Sequence, residues 1–106
     1  MKISKAFDGE IVATKIGVQA QKIYSIPEAH AVHLTLDPGA RLNTHTTPVD
    51  VFFYILAGEA WIEVGEEREA ADKDCIIESP KNIPHAIENK SNENPLRVLF
   101  AKTPRP

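Results

Sequence analysis

The sequence predicts an all-β domain of short antiparallel strands, with little or no helix. Two observations carry that reading. Prolines and glycines recur at short intervals, among them Gly9, Gly17, Pro27, Pro38, Gly39, Pro48, Gly58, Gly65, Pro80, Pro84 and Pro95, and the segments between them are rich in Ile, Val and Leu. Such punctuation belongs to strands joined by turns, hence to a sandwich or barrel. A third observation sets the scale: a chain of 106 residues, 42% hydrophobic and 25% charged, has the size and composition of one globular domain spanning 1–106.

The elements follow in order. Residues 11–16 and 23–26 are weak strand candidates. His30–Leu36 is stronger, because Val32, Leu34 and Leu36 alternate with His33 and Thr35. In that phase His33 points away from the core, and His30 points inward from the strand's end. Pro38 to Gly58 is the central stretch, with His45 at the mouth of an apolar run from Val51 to Leu56. Val51, Phe53 and Ile55 share one side of that run, Phe52, Tyr54 and Leu56 the other. One side fills the core; the other needs cover from residues 1–30 or from a second chain, which predicts a homodimer.

Ala60–Val64 reads as a strand, Gly65-Glu66-Glu67 as a turn, and 68–71 as the return. Residues 75–79 form a further apolar segment, followed by the proline-punctuated loop SPKNIPH. His85–Asn89 resumes a strand, and 96–101 is the last, ended by TPRP because proline lacks the ladder donor. One helical turn is conceivable only near 89–93.

Composition excludes several classes. Net charge is −3 with no dense Lys/Arg cluster, which gives no footprint for nucleic acid or an anionic membrane. No apolar run approaches the ~20 residues of a membrane span. The polar start MKISKAFDGE lacks a signal peptide's apolar middle, so the expected location is cytoplasmic. A single cysteine, Cys75, permits no internal disulfide and reads as packing.

Of four histidines, His45 and His85 carry weight, since each stands behind a loop at a strand start. Two imidazoles converging in a barrel suit a divalent metal or a general acid/base pair; unrelated surface histidines are the alternative.

With those residues in view, the chain resembles the cupin superfamily, whose motifs are G(X)5HXH(X)3–4E(X)6G and G(X)5PXG(X)2H(X)3N. Gly39, His45 and Gly58 fall on the first motif, and Pro80, His85 and Asn89 on the second, so the resemblance spans 32–101. It implies a double-stranded β-helix, or jelly-roll barrel, with His45 and His85 in one pocket. It also implies a metal site of which this chain keeps half. The second histidine of the first motif falls on Thr47 and the glutamate on Val51; two motif glycines fall on Asp74 and Asn82. Asp50 is one residue off the glutamate position, hence on the opposite face, while the directions of Glu63 and Glu78 are open.

Protein metal sites ordinarily use three or more donors, so His45 and His85 alone predict weak or absent metal binding. One divalent ion, Zn, Ni, Fe or Mn, is the alternative. The expected pocket comprises His45, Thr47, Val51, Phe53, His85, Ile87 and Leu99, with Ala101 and the Val32–Leu36 face beside it. Tyr54 and Trp61 point outward, Arg97 is solvated or reaches the pocket mouth, and Asn89 satisfies backbone at a strand end. The leading functional expectation is a small-molecule-binding barrel with an incomplete metal site and no assignable reaction. A metal-dependent dioxygenase- or isomerase-like enzyme is the principal alternative. Metal-free acid/base catalysis and a dimerisation module rank below them.

Overall fold

The computed structural model describes all 106 residues and contains ten strands and no α-helix. A single 3-10 turn, Ala6–Asp8, precedes β1 (Glu10–Lys15), β2 (Val18–Ile26) and β3 (Ala29–Leu36). They are followed by β4 (Arg41–His45), β5 (Asp50–Ala57), β6 (Glu59–Val64), β7 (Glu67–Asp72), β8 (Ile76–Ser79), β9 (His85–Asn89) and β10 (Leu96–Thr103). All pairings are antiparallel. Strands β1-β2-β3-β10-β5-β8 make one sheet and β4-β9-β6-β7 the other, the jelly-roll arrangement expected from the sequence.

The core lies between the sheets because alternation points every second residue inward. Leu34, Leu36, Val51, Phe53, Ile55, Val98 and Phe100 come from the six-stranded sheet, Ala60, Ile62 and Ile87 from the other. Each large side chain so buried contributes about 2 kcal/mol of hydrophobic stabilisation. The inner face of β5 is the predicted one, and Phe52, Tyr54 and Leu56 on its outer face are half-buried.

Three expectations are corrected here. β4 is a strand of its own, so His45 ends β4 rather than entering β5. The β6–β7 turn is two residues, with Glu67 already paired to Val64. Residues 89–93 form no helical turn; Asn89 ends β9 and a polar turn follows.

Phase corrections follow from register. Phe100 pairs with Phe53 and Val32, placing Leu96, Val98 and Phe100 inward; Leu99 and Ala101 lie on the outer face. Leu99 is therefore not a pocket residue. His33 does point away from the barrel, as read from sequence, yet it is fully buried. Phe7 of the 3-10 turn meets its ring edge-on at 4.7 Å, Gln21 Oε1 lies 2.8 Å from Nδ1, and Arg97 donates to Nε2 at 3.0 Å. Arg97 is thus neither solvated nor at the pocket mouth; it sits beneath Phe7, 4.8 Å from the ring centroid.

Candidate functional site

β4 and β9 are neighbours, and their register sets His45 directly opposite His85. Leu42 faces Ile87 in the same ladder, and a bulge intervenes before His45. Strict alternation from Leu42 would turn residue 45 outward; the one-residue bulge returns it to the inner side beside His85. Behind His85, two loops are tied together by the Asn82 N–H, which donates to the Thr47 carbonyl at 2.9 Å. Asn82 (φ 64°) and Asp74 (φ 71°) hold the left-handed backbone at the two positions where the family motif has glycine. The local path is therefore kept without the glycines.

The two Nε2 atoms are 3.0 Å apart, with the rings edge-to-face. Hydrogen-bond partners settle the tautomers. The Asn43 carbonyl, 3.2 Å from His45 Nδ1, can only accept, so Nδ1 carries the proton and neutral His45 presents a bare Nε2. His85 then donates from Nε2, and its Nδ1 accepts from the Ser79 hydroxyl at 2.8 Å. Thr47 Oγ1 stands 3.4 Å from His85 Nε2, too long for more than a secondary contact. His85, Ser79 and Thr47 are buried, whereas His45 is exposed on its outer side. Phe53 and Phe100 pack on His85 at 5.3 and 5.8 Å. Burial first, then the neighbouring His45 and the Lys102 ammonium, push the His85 pKa down to about 4, so it is neutral at physiological pH.

The expected pocket set divides. His45 lines a cavity of about 460 Å³, together with His30, Val32, Leu34, Leu42, Phe100, Lys15 and Lys102. Thr47, Val51, Phe53, His85 and Ile87 are all buried, and none of them lines that cavity. His30, whose inward phase was legible, stands at the mouth with Nδ1 3.1 Å from Ser25 Oγ. Lys102 and Phe100 lie on the face of β10 opposite Leu99, so an inward phase for Leu99 leaves both out of the pocket. Nothing within β10 chooses the phase, since Arg97 stands on one face and Lys102 on the other.

A divalent metal would have to be held by these donors. Both Nε2 lone pairs become available only if the His85 proton moves to Nδ1, with Ser79 Oγ turning acceptor. Nothing completes the set. No group of three or more His, Cys, Asp or Glu side chains is placed to hold a metal. Val51 occupies the carboxylate position and is buried. Asp50 accepts from the Lys81 N–H at 2.9 Å. Glu63 is paired with Arg41 and Arg68, each at 2.6 Å, and Glu78 pairs across from Phe52 on the outer phase. Two imidazoles and a neutral hydroxyl do not fit a resident divalent ion. Trp61 lies under the cations of Arg68 and Lys90, outside the barrel as read, and Cys75 packs against the edge of the core. No helix is long and apolar enough to cross a membrane.

Comparison with known proteins agrees with this architecture. No curated protein matches the sequence. Among solved structures, an RmlC-like cupin from Shewanella frigidimarina superposes with a TM-score of 0.87 at 18% identity, over 99% of this chain and 92% of that one. KdgF from Halomonas gives 0.87 at 19% identity, over 100% and 96%. A predicted oxalate decarboxylase from Thermotoga maritima gives 0.84 at 17% identity, over 98% and 100%. At such identities the likeness shows the fold alone. The family model described as "Cupin domain" matches residues 32–102, so the chain belongs to the cupin family.

Proposed function

We propose that this cupin binds a small organic molecule in the cavity beside His45, with His45, held from behind by His85 and Ser79, as its polar end and no resident metal. The observation that carries the reading is the closed hydrogen-bond chain next to a largely apolar cavity. Each ring nitrogen of both histidines already has a partner. A ligand therefore meets an ordered polar wall and an apolar one, the make-up of small-molecule sites. Homodimerisation belongs to the same reading, through the outer face of β5 and β8, where Ile76 is 60% exposed; light scattering giving a clean monomer mass counts against it.

A metal-dependent enzyme is the competing reading, and the convergence of the two Nε2 atoms favours it. The donor set counts against it.

The test is a 15N-resolved NMR titration with benzoate, benzamide and benzylamine, each at millimolar concentration. At least one should shift the amides of Val32, Leu42, Asn43, His45 and Phe100. Filling the cavity with Leu42→Trp, or independently Ala13→Trp, should abolish those shifts. Shifts from no probe, or shifts that survive both variants, contradict the proposal.

A further inference from the structure

We infer that the ligand of this cavity is a small organic anion, a carboxylate on an apolar body, held at the rim by Lys15 and Lys102. The inference rests on the small-molecule reading above and adds the chemical class.

The protein is acidic overall, with a net charge of −3, yet no Asp or Glu lines this cavity. Its charged and titratable lining groups are Lys15, Lys102, His30 and His45. The contrast within the molecule is sharp. A hollow of about 590 Å³ beside the β6–β7 hairpin is lined by Glu66, Glu67, Glu69 and Glu78 and by no lysine or arginine. Acidic residues are thus abundant on this fold and absent from the histidine cavity.

Both lysines are free. The ion pairs of the molecule engage Lys22, Arg41, Arg68 and Lys90, and neither Lys15 nor Lys102 has a carboxylate within 4.0 Å. Position explains how Lys102 reaches the site. It follows Phe100 in the inward phase of β10, pairs across to His30 and Val51, and holds Nζ 5.7 Å from the Phe100 ring centroid. Its stem runs along apolar wall and its ammonium stands at the rim, the ordinary posture of a half-buried lysine. Lys15, the last residue of β1, lines the same cavity.

The field of this rim is felt by its neighbours. His30 is pushed below the usual imidazole pKa by burial and then by Lys102, Lys22 and Arg105. An anion entering the mouth relieves like-charge repulsion among these groups and gains two ammonium partners. Val32, Leu34 and Phe100 then cover its apolar part. A cavity of about 460 Å³ holds a body of one ring or a short branched chain, at the small end of the usual pocket range.

The same three probes separate the two readings. Benzoate should bind about ten-fold or more tightly than benzamide, the worth of one well-placed charge at a half-exposed site. Benzylamine should be excluded. The Lys15→Gln/Lys102→Gln double variant should erase the benzoate advantage, bringing benzoate affinity down to that of benzamide measured on the same variant. On the unaltered protein, benzoate affinity should fall with added salt and benzamide affinity should not. Equal binding of benzoate and benzamide, preference for benzylamine, or an undiminished benzoate advantage in the double variant overturns the anion inference and leaves the cavity reading standing. Absence of cavity shifts with every probe overturns both.

Discussion

His85 sits against His45 with 3.0 Å between their Nε2 atoms, and it is the buried member of the pair. That asymmetry decides the chemistry. His45 meets the cavity, and His85 holds it in place from within while Ser79 orients His85 from behind.

The buried member makes stability depend on pH. His85 titrates near pH 4 in the fold, against 6.5 for a free imidazole, because burial, His45 and Lys102 all oppose its charged form. The unfolded chain therefore takes up a proton that the fold refuses. The contribution of His85 is full above pH 6.5, falls as pH drops below it, and stops falling near pH 4. Two and a half units correspond to about 3 kcal/mol. His30 and His33 are shifted down for the same leading reason, burial, and add in the same direction. Denaturant melts of metal-free protein at neutral pH and near pH 4 measure the loss. His85→Gln should flatten the slope in part; a stability independent of pH across this window contradicts the burial of a neutral His85.

Asn89 ties backbone groups together and does not line the cavity. Its Nδ2 hydrogens serve the carbonyls of Leu36, Asp37 and Asn94 at 2.8–3.2 Å, and its Oδ1 accepts from the Ser91 N–H at 2.9 Å. Asn89→Ala strands several of these buried groups and should cost about 3 kcal/mol in denaturant unfolding. Asn89→Asp should cost more, since it sets a carboxylate against three carbonyls. A loss below about 1 kcal/mol for either variant shows that the network is not structural.

The backbone at Asn82 gives a prediction of opposite sign for two small residues. With φ at 64°, Asn82→Ala forces a Cβ-bearing residue without a compensating amide into left-handed geometry and should destabilise by about 1 kcal/mol. Asn82→Gly should be neutral or stabilising. Thermal melts check the order; alanine matching glycine contradicts the strained position.

Much of this was legible in the sequence, for identifiable reasons. Gly58 marks the close of the first motif because a Cβ there would lie 2.7 Å from the Pro95 carbonyl at φ +95°, so its spacing from His45 is a steric constraint readable in one dimension. β5 was readable because Val51, Phe53 and Ile55 fill one face. β4 was not, since Arg41-Leu42-Asn43-Thr44-His45 carries one apolar residue and a bulge that breaks its period. β10 lies between β3 and β5 and is apolar in both phases, so only its pairing with Phe53 chooses between Leu99 and Phe100. His33 reads as solvent-facing by alternation; its cover, Phe7, comes from a distant segment that no local period announces. The cavity rim was hidden for a similar reason, because Lys15 and Lys102 are near opposite ends of the chain and meet only across the folded barrel.

Elemental analysis of protein purified without chelators or nickel resin tests the central claim most directly. Two imidazoles without a carboxylate should leave Zn, Ni, Fe and Mn far below one per chain, and His45→Ala should not change that content. A stoichiometric metal that disappears in His45→Ala would contradict the account.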